Sequence, residues 1–148
     1  MIINNPALNN IAFLEGNWSM ELTNASFLPE SNQKIQSQVI FSWQLNGAVL
    51  VLQQGQWETS DQAANWIIGR DDSSDDYVII YNDKRGVSRV YQMSFNGNEW
   101  KIWRDAPKFY QRFVGKVSED KKTITSYWEK SLDGGKTWEH DFDVIYSR

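Results

Sequence analysis

The sequence predicts an all-β protein, an up-and-down antiparallel β-barrel of about ten strands preceded by one short helix. Three observations carry that expectation. Alternating or apolar segments recur from Asn17 to the end, each bounded by Gly, Asn, Asp, Ser or Pro. Most gaps between them are too short for a parallel crossover, so neighbours in sequence run antiparallel. A long, strongly twisted open sheet would also leave two bare edges, and closure removes them. A two-layer β-sandwich is the competing architecture.

The elements follow in order. A helix is expected from about Pro6 to Leu14, because Pro6 suits a first helical turn and Leu8, Ile11 and Ala12 form a small apolar stripe before Gly16. Strands are expected at about 17–24, 35–44, 48–58, 65–71, 77–83, 87–96, 99–105, 109–118, 122–131 and 136–147. Asn46-Gly47, Asn96-Gly97 and Asp133-Gly134-Gly135 supply residues that tolerate the positive φ of a tight hairpin. Longer polar connectors stand at 71–76 and 83–86, and the segments at 25–34 and near Pro107 are less regular.

Composition narrows the function classes. The 148 residues fit one domain, 1–148, with 41% hydrophobic and 23% charged residues, an ordinary globular balance. A net charge of −4 argues against a nucleic-acid partner. No apolar run approaches the ~20 residues that span a bilayer, so no membrane partner is expected. Cysteine is absent, which excludes disulfides, thiolate chemistry and cysteine-bound metals, and the lone His140 excludes a multi-histidine metal site. Residues 1–15 contain no Lys or Arg and are broken by asparagines, unlike a secretory signal, which makes the cytoplasm the expected compartment. Residues 1–70 hold only seven charged side chains, whereas 71–148 hold the other twenty-seven in near balance. That asymmetry predicts richer surface pairing on the later strands.

Two local motifs and one wider pattern add resemblances. Gly16-Asn17-Trp18, after the helix and opening the first strand, resembles the entry motif of calycins, the superfamily of lipocalins and fatty-acid-binding proteins. The resemblance implies that Trp18 plugs one end of a barrel, with Arg148 available to cover it as a cation–π pair. Phe13 to Trp18, Arg85-Gly86 with Arg89 and Tyr91, Trp128 to Trp138 and Phe142 to Tyr146 together resemble an uncharacterised family of small calycin-like barrels. That likeness implies a barrel with an interior pocket and no established activity. Ser131-Leu132-Asp133-Gly134-Gly135-Lys136-Thr137-Trp138 fits the Asp-box hairpin of sialidase propellers. A propeller needs at least about four blades of four strands, more than this chain can supply, so Asp133 is expected to be structural.

Residues i and i+2 of a strand share a face. Trp18, Met20 and Leu22, then Val39, Phe41 and Trp43, then Arg89, Tyr91, Met93 and Phe95 form expected inner sets, and His140, Phe142, Val144 and Tyr146 do so on the last strand. A ten-stranded barrel is wider than one that eight strands just fill. With 14% aromatics, this predicts a ring-lined cavity for a small apolar or amphipathic molecule, anionic if Arg89 faces it. Arg89 and Tyr91 lead the expected ligand contacts, with Trp43, Trp103, Arg104 and Arg112 behind them.

Three other functions compete. Nitrobindins are ten-stranded calycin-like barrels that hold haem through a histidine near the C-terminus, and His140 has a similar location; otherwise no cofactor is expected. A calycin-type decarboxylase or cyclase could use Tyr91, Arg89 and Glu129 as acid, anion clamp and base. No Gly-x-Ser-x-Gly elbow and no Gly-rich phosphate loop is present, which leaves a binding protein ahead of an enzyme. Finally, outward aromatics such as Trp57 or Trp66 could join two copies as a homodimer.

Overall fold

The computed structural model describes residues 5–30 and 32–148. Ten strands close into an antiparallel barrel: β1 (Gly16–Thr23), β2 (Ile35–Gln44), β3 (Val49–Gln54), β4 (Ala64–Arg70), β5 (Tyr77–Asp83), β6 (Ser88–Asn96), β7 (Glu99–Arg104), β8 (Tyr110–Val117), β9 (Thr123–Ser131) and β10 (Glu139–Ser147). Each neighbours the next in sequence, and β1 lies beside β10. The expected ladder is therefore present, with no second layer of sheet among the described residues.

The helix spans Pro6–Leu14 and is a 3-10 helix rather than an α-helix. Asn5 caps it by accepting from the Ala7 N–H at 3.0 Å, Pro6 needs no partner for a missing donor, and Leu8, Ile11 and Leu14 are buried. Strand three stops at Gln54, short of the expected 58. Gly55 has φ +68 and its N–H donates to Gln38 O at 3.0 Å, after which Gln56 to Ser60 turn. Trp57 consequently stands in a turn and not on a strand face.

The chain divides into two compact units. The first takes in the helix, residues up to Trp18, and Ser37–Ser94. Its inward rows follow from the register. Phe41, Leu52, Trp66, Tyr81 and Arg89 make one, and Trp43, Leu50, Ile68, Ile79 and Tyr91 the next. Trp66 is thus an inward core residue, 6% exposed, which removes it from any outer patch. Trp18 is buried and its indole N–H donates to Leu14 O at 2.8 Å, so the entry tryptophan ties the helix to the first strand.

The second unit comprises Ser19–Gln36 and Phe95–Arg148. Its inward rows are Arg104, Gln111 and Lys130, then Ile102, Phe113, Trp128 and Phe142, then Trp100, Gly115, Ser126, Val144 and Leu22. One irregularity changes the reading of the last strand. A β-bulge between His140 and Phe142 inserts Asp141, so the alternation slips by one position. Asp141 is buried, and His140 pairs with Glu129 on the outward face.

The Asp133 hairpin is self-supporting. Asp133 Oδ1 accepts from Ser131 Oγ at 2.8 Å, Lys136 N at 3.0 Å and Thr137 N at 2.9 Å, and Oδ2 accepts from Thr137 Oγ1 at 2.6 Å. Those donors, the Thr137 hydroxyl foremost, hold the carboxyl down at about 2. A side chain at Gly135, φ +88, would meet the Tyr110 ring at 3.3 Å. Arg148 is exposed, with its N–H bonded to Lys122 O at 3.0 Å.

Candidate functional site

Each unit carries one polar cluster on inward-facing positions. In the first, β5 and β6 bring Tyr81, Asp83, Arg89 and Tyr91 together around the Asp83–Gly86 turn. The Tyr81 hydroxyl donates to Asp83 Oδ2 at 2.7 Å, and Arg85 grips the same oxygen through Nη2 at 2.6 Å and Nε at 3.1 Å. Asp83 Oδ1 accepts from Arg85 N at 2.9 Å and Val87 N at 3.3 Å. Burial pushes the Asp83 carboxyl up, but the Arg85 and Tyr81 donors outweigh it and bring it to about 2. Burial, then the bond to Asp83, raises Tyr81 well above the ordinary phenol value. The Arg89 guanidinium lies 5.9 Å from the Tyr81 ring centre, and Tyr91 meets that ring edge-on at 6.2 Å. Arg89 and Tyr91 are thus neighbours, as expected, within a cluster whose carboxylate is already engaged by short bonds.

The second cluster stands across β7, β8, β9 and the β10 bulge. Arg104 pairs with Gln111 and Gln111 with Lys130, one residue from each strand on the same face. Asp141 enters from the bulge with Gln111 Nε2 at 3.4 Å from Oδ2 and Lys130 Nζ at 3.7 Å from Oδ1. These are long contacts for a carboxylate, outside the strong hydrogen-bond range. Ser26 completes the group. Its Oγ donates to Asp141 Oδ1 at 3.1 Å and accepts from Lys130 Nζ at 3.0 Å, while its N–H donates to Asp141 O at 2.8 Å. Nε and Nη1 of Arg104 are shielded from solvent. Two cations of intermediate burial, one buried carboxylate and one buried amide therefore share a row.

Directly beside that row runs an aromatic one. Phe113 and Trp128 are 5.0 Å apart, Trp128 stacks on Phe142 at 6.0 Å, and Phe27 meets Phe142 edge-on at 5.7 Å. Phe27 remains 51% exposed, an aromatic at the rim of the loop that Ser26 stitches down. Chemically, guanidinium, ammonium and amide donors suit an oxyanion or carbonyl, and the Phe113 and Trp128 rings beside them pack against one another as a buried apolar layer.

Three expected ligand contacts face elsewhere. Arg112 and Trp103 pair with one another on the outward face of β7 and β8, because inward positions there belong to Ile102, Arg104, Gln111 and Phe113. Arg112 instead lies 3.9 Å over the Trp138 ring and donates from Nε to Glu129 at 2.8 Å. Glu129, the base of the enzymatic reading, is committed to that outward pair. His140 is outward too, with Nε2 2.8 Å from Asp143 Oδ1. Trp43 and Arg104 do face inward. Gln111, Lys130 and Asp141 escaped the sequence reading; Gln111 shares Phe113's parity and could have been found, whereas Asp141 is inward only through the bulge.

No family model and no curated protein matches the chain. Among solved structures, the crystal structure of Rv2717c from M. tuberculosis matches with a TM-score of 0.61 at 11% identity, over 97% of this chain and 98% of that one. The two share a fold. No helix among the described residues is long and apolar enough to cross a membrane.

Proposed function

We propose that the protein is a calycin-like carrier of a small amphipathic molecule with an anionic or strongly accepting head group. The head is held by Arg104, Lys130 and Gln111 and the apolar body by Trp128, Phe113 and Phe142. The observation that carries this reading is the cationic row on β7–β9 lying next to the aromatic row. A guanidinium presents a planar fork of donors that matches a carboxylate or similar oxyanion, and Lys130 adds a second positive charge on the same row. Asp141 leaves the row with a surplus of positive charge. The Arg89 and Tyr91 pair supplies a second inward guanidinium, but its neighbours Asp83 and Arg85 are saturated by each other.

The test is a titration with anilinonaphthalene sulfonate and with alkyl carboxylates of increasing length, read by probe and tryptophan fluorescence. Saturable binding that Arg104→Gln and Lys130→Gln weaken supports the proposal; binding indifferent to both overturns it. Haem held by His140 is not favoured, because the imidazole lies outward against Asp143. An enzymatic reading has no observation in its favour, since Glu129 is paired with Arg112.

A further inference from the structure

The outward face of the first unit has an unusual composition for an acidic protein. Three rows cross its strands: Ile40, Gln53, Asn65, Asn82 and Ser88; then Ser42, Val51, Ile67, Ile80 and Val90; then Gln44, Val49, Gly69, Val78 and Gln92. No position in these rows is charged, although the chain carries 15 basic and 19 acidic residues. Four of the five middle-row residues, Val51, Ile67, Ile80 and Val90, are β-branched and apolar; Val90 is 59% and Ile80 45% exposed, Val51 is buried, and Ile40 adds 44% in the row beside it. One flanking row is mostly amides and a hydroxyl, with Ser88 donating to Asn82 at 2.7 Å, and the other has Gln44 and Gln92 at its ends around Val49, Gly69 and Val78.

We propose that this face is the contact between two copies of the chain. A two-fold interface brings the same patch of two copies together, so a patch with a net charge of one sign repels itself. Side-chain amides escape that penalty, because each donates and accepts and can pair with its own kind. An apolar stripe flanked by amides, on a chain of net charge −4, is therefore matched to a second copy and not to a charged partner. Strands about 4.8 Å apart and same-face residues about 6.8 Å apart make the patch roughly 24 Å by 20 Å. Two copies would together bury about 1,000 Å², the lower end of a specific interface. The dimer is accordingly a weak one that responds to concentration.

Sedimentation velocity at about 5 µM and about 300 µM reads this directly, since a weak interface dissociates within that range. The native chain should shift toward a dimer at the higher loading. Val90→Arg, at an exposed position, and the gentler Gln92→Glu should each weaken the dimer at least about tenfold, by placing charge of one sign on both halves of an uncharged contact. Thr125→Arg, on the outward face of β9, should sediment as the native chain does. Unchanged melting temperatures separate lost association from lost folding. A native chain that stays monomeric at the higher loading overturns the proposal, and so does a Gln92→Glu or folded Val90→Arg variant that dimerises as before.

Discussion

On β2–β6 the outward rows hold no charge, whereas on β7–β10 oppositely charged residues face one another across neighbouring strands. Glu99 stands opposite Lys116, and Arg112 opposite Glu129 with a 2.8 Å bond. The inward faces differ in the reverse sense. Within the first unit, Asp83 is held by Tyr81 and Arg85 at 2.7 and 2.6 Å. Within the second, Asp141 stands 3.1 Å from the Ser26 hydroxyl, 3.4 Å from Gln111 and 3.7 Å from Lys130. Polar groups on an inner wall can thus hold a carboxylate by short bonds or by longer ones, and distance separates the cases better than residue type does.

The sharpest way to break that contrast is to remove the cations one wall at a time. Arg104→Gln or Lys130→Gln should weaken a bound amphipathic anion by roughly 10- to 100-fold, the value of a charge-assisted hydrogen bond. Arg89→Gln should change it by less than about threefold. Equal losses in both units, read by fluorescence titration, would erase the distinction.

Stability should show the opposite ranking. Asp83→Ala strands the Tyr81 hydroxyl and loses the Arg85 bonds, for a cost of about 2 kcal/mol in urea unfolding. Asp141→Asn keeps an acceptor for Ser26 and should cost less than about 1 kcal/mol.

Acid titration sharpens the comparison further. Asp83 and Asp133 both lie near about 2, against an ordinary 3.8. Folding lowers these values, so the stability they contribute is complete above the unfolded value and is lost as pH falls toward 2. The melting temperature should hold from neutral pH to about 5 and then fall between about 4 and 2. Asp83→Asn and Asp133→Asn should each flatten part of that slope. The smallest effect belongs to His140→Ala. Its exposed pair with Asp143 contributes at most about 1 kcal/mol, and any Soret band raised by adding haemin should survive the substitution.

Much of the fold was legible in the residues. Turn chemistry at Asn96-Gly97 and Asp133-Gly134-Gly135 marked hairpins, and alternation placed Phe41, Trp43, Tyr91 and Met93 inward, because one buried face enforces period two. The site was less legible for two physical reasons. Trp103 and Arg112 are residue types common in binding sites, yet their parity puts them outside, where Arg112 packs over Trp138. A single inserted residue at Asp141 reversed the expected faces at His140, and nothing in the alternating run Glu139 to Tyr146 signals where a ladder bulges. The shortfall in charge before residue 70 was visible as composition, but the uncharged face also takes in Val78, Ile80, Asn82, Ser88, Val90 and Gln92, which only the register of β2–β6 brings to it.

The seam between β1 and β10 carries a consequence for biosynthesis. Asn24 bonds Asp143 across 119 positions of chain at 2.8 Å, and Met20 is laid against Tyr146. A ribosome delivers β1 long before β10 exists, leaving that first ladder half made for most of translation. Such a nascent chain exposes a sticky edge to its neighbours, so slow elongation, or loss of the final strand, should favour aggregates over folded product.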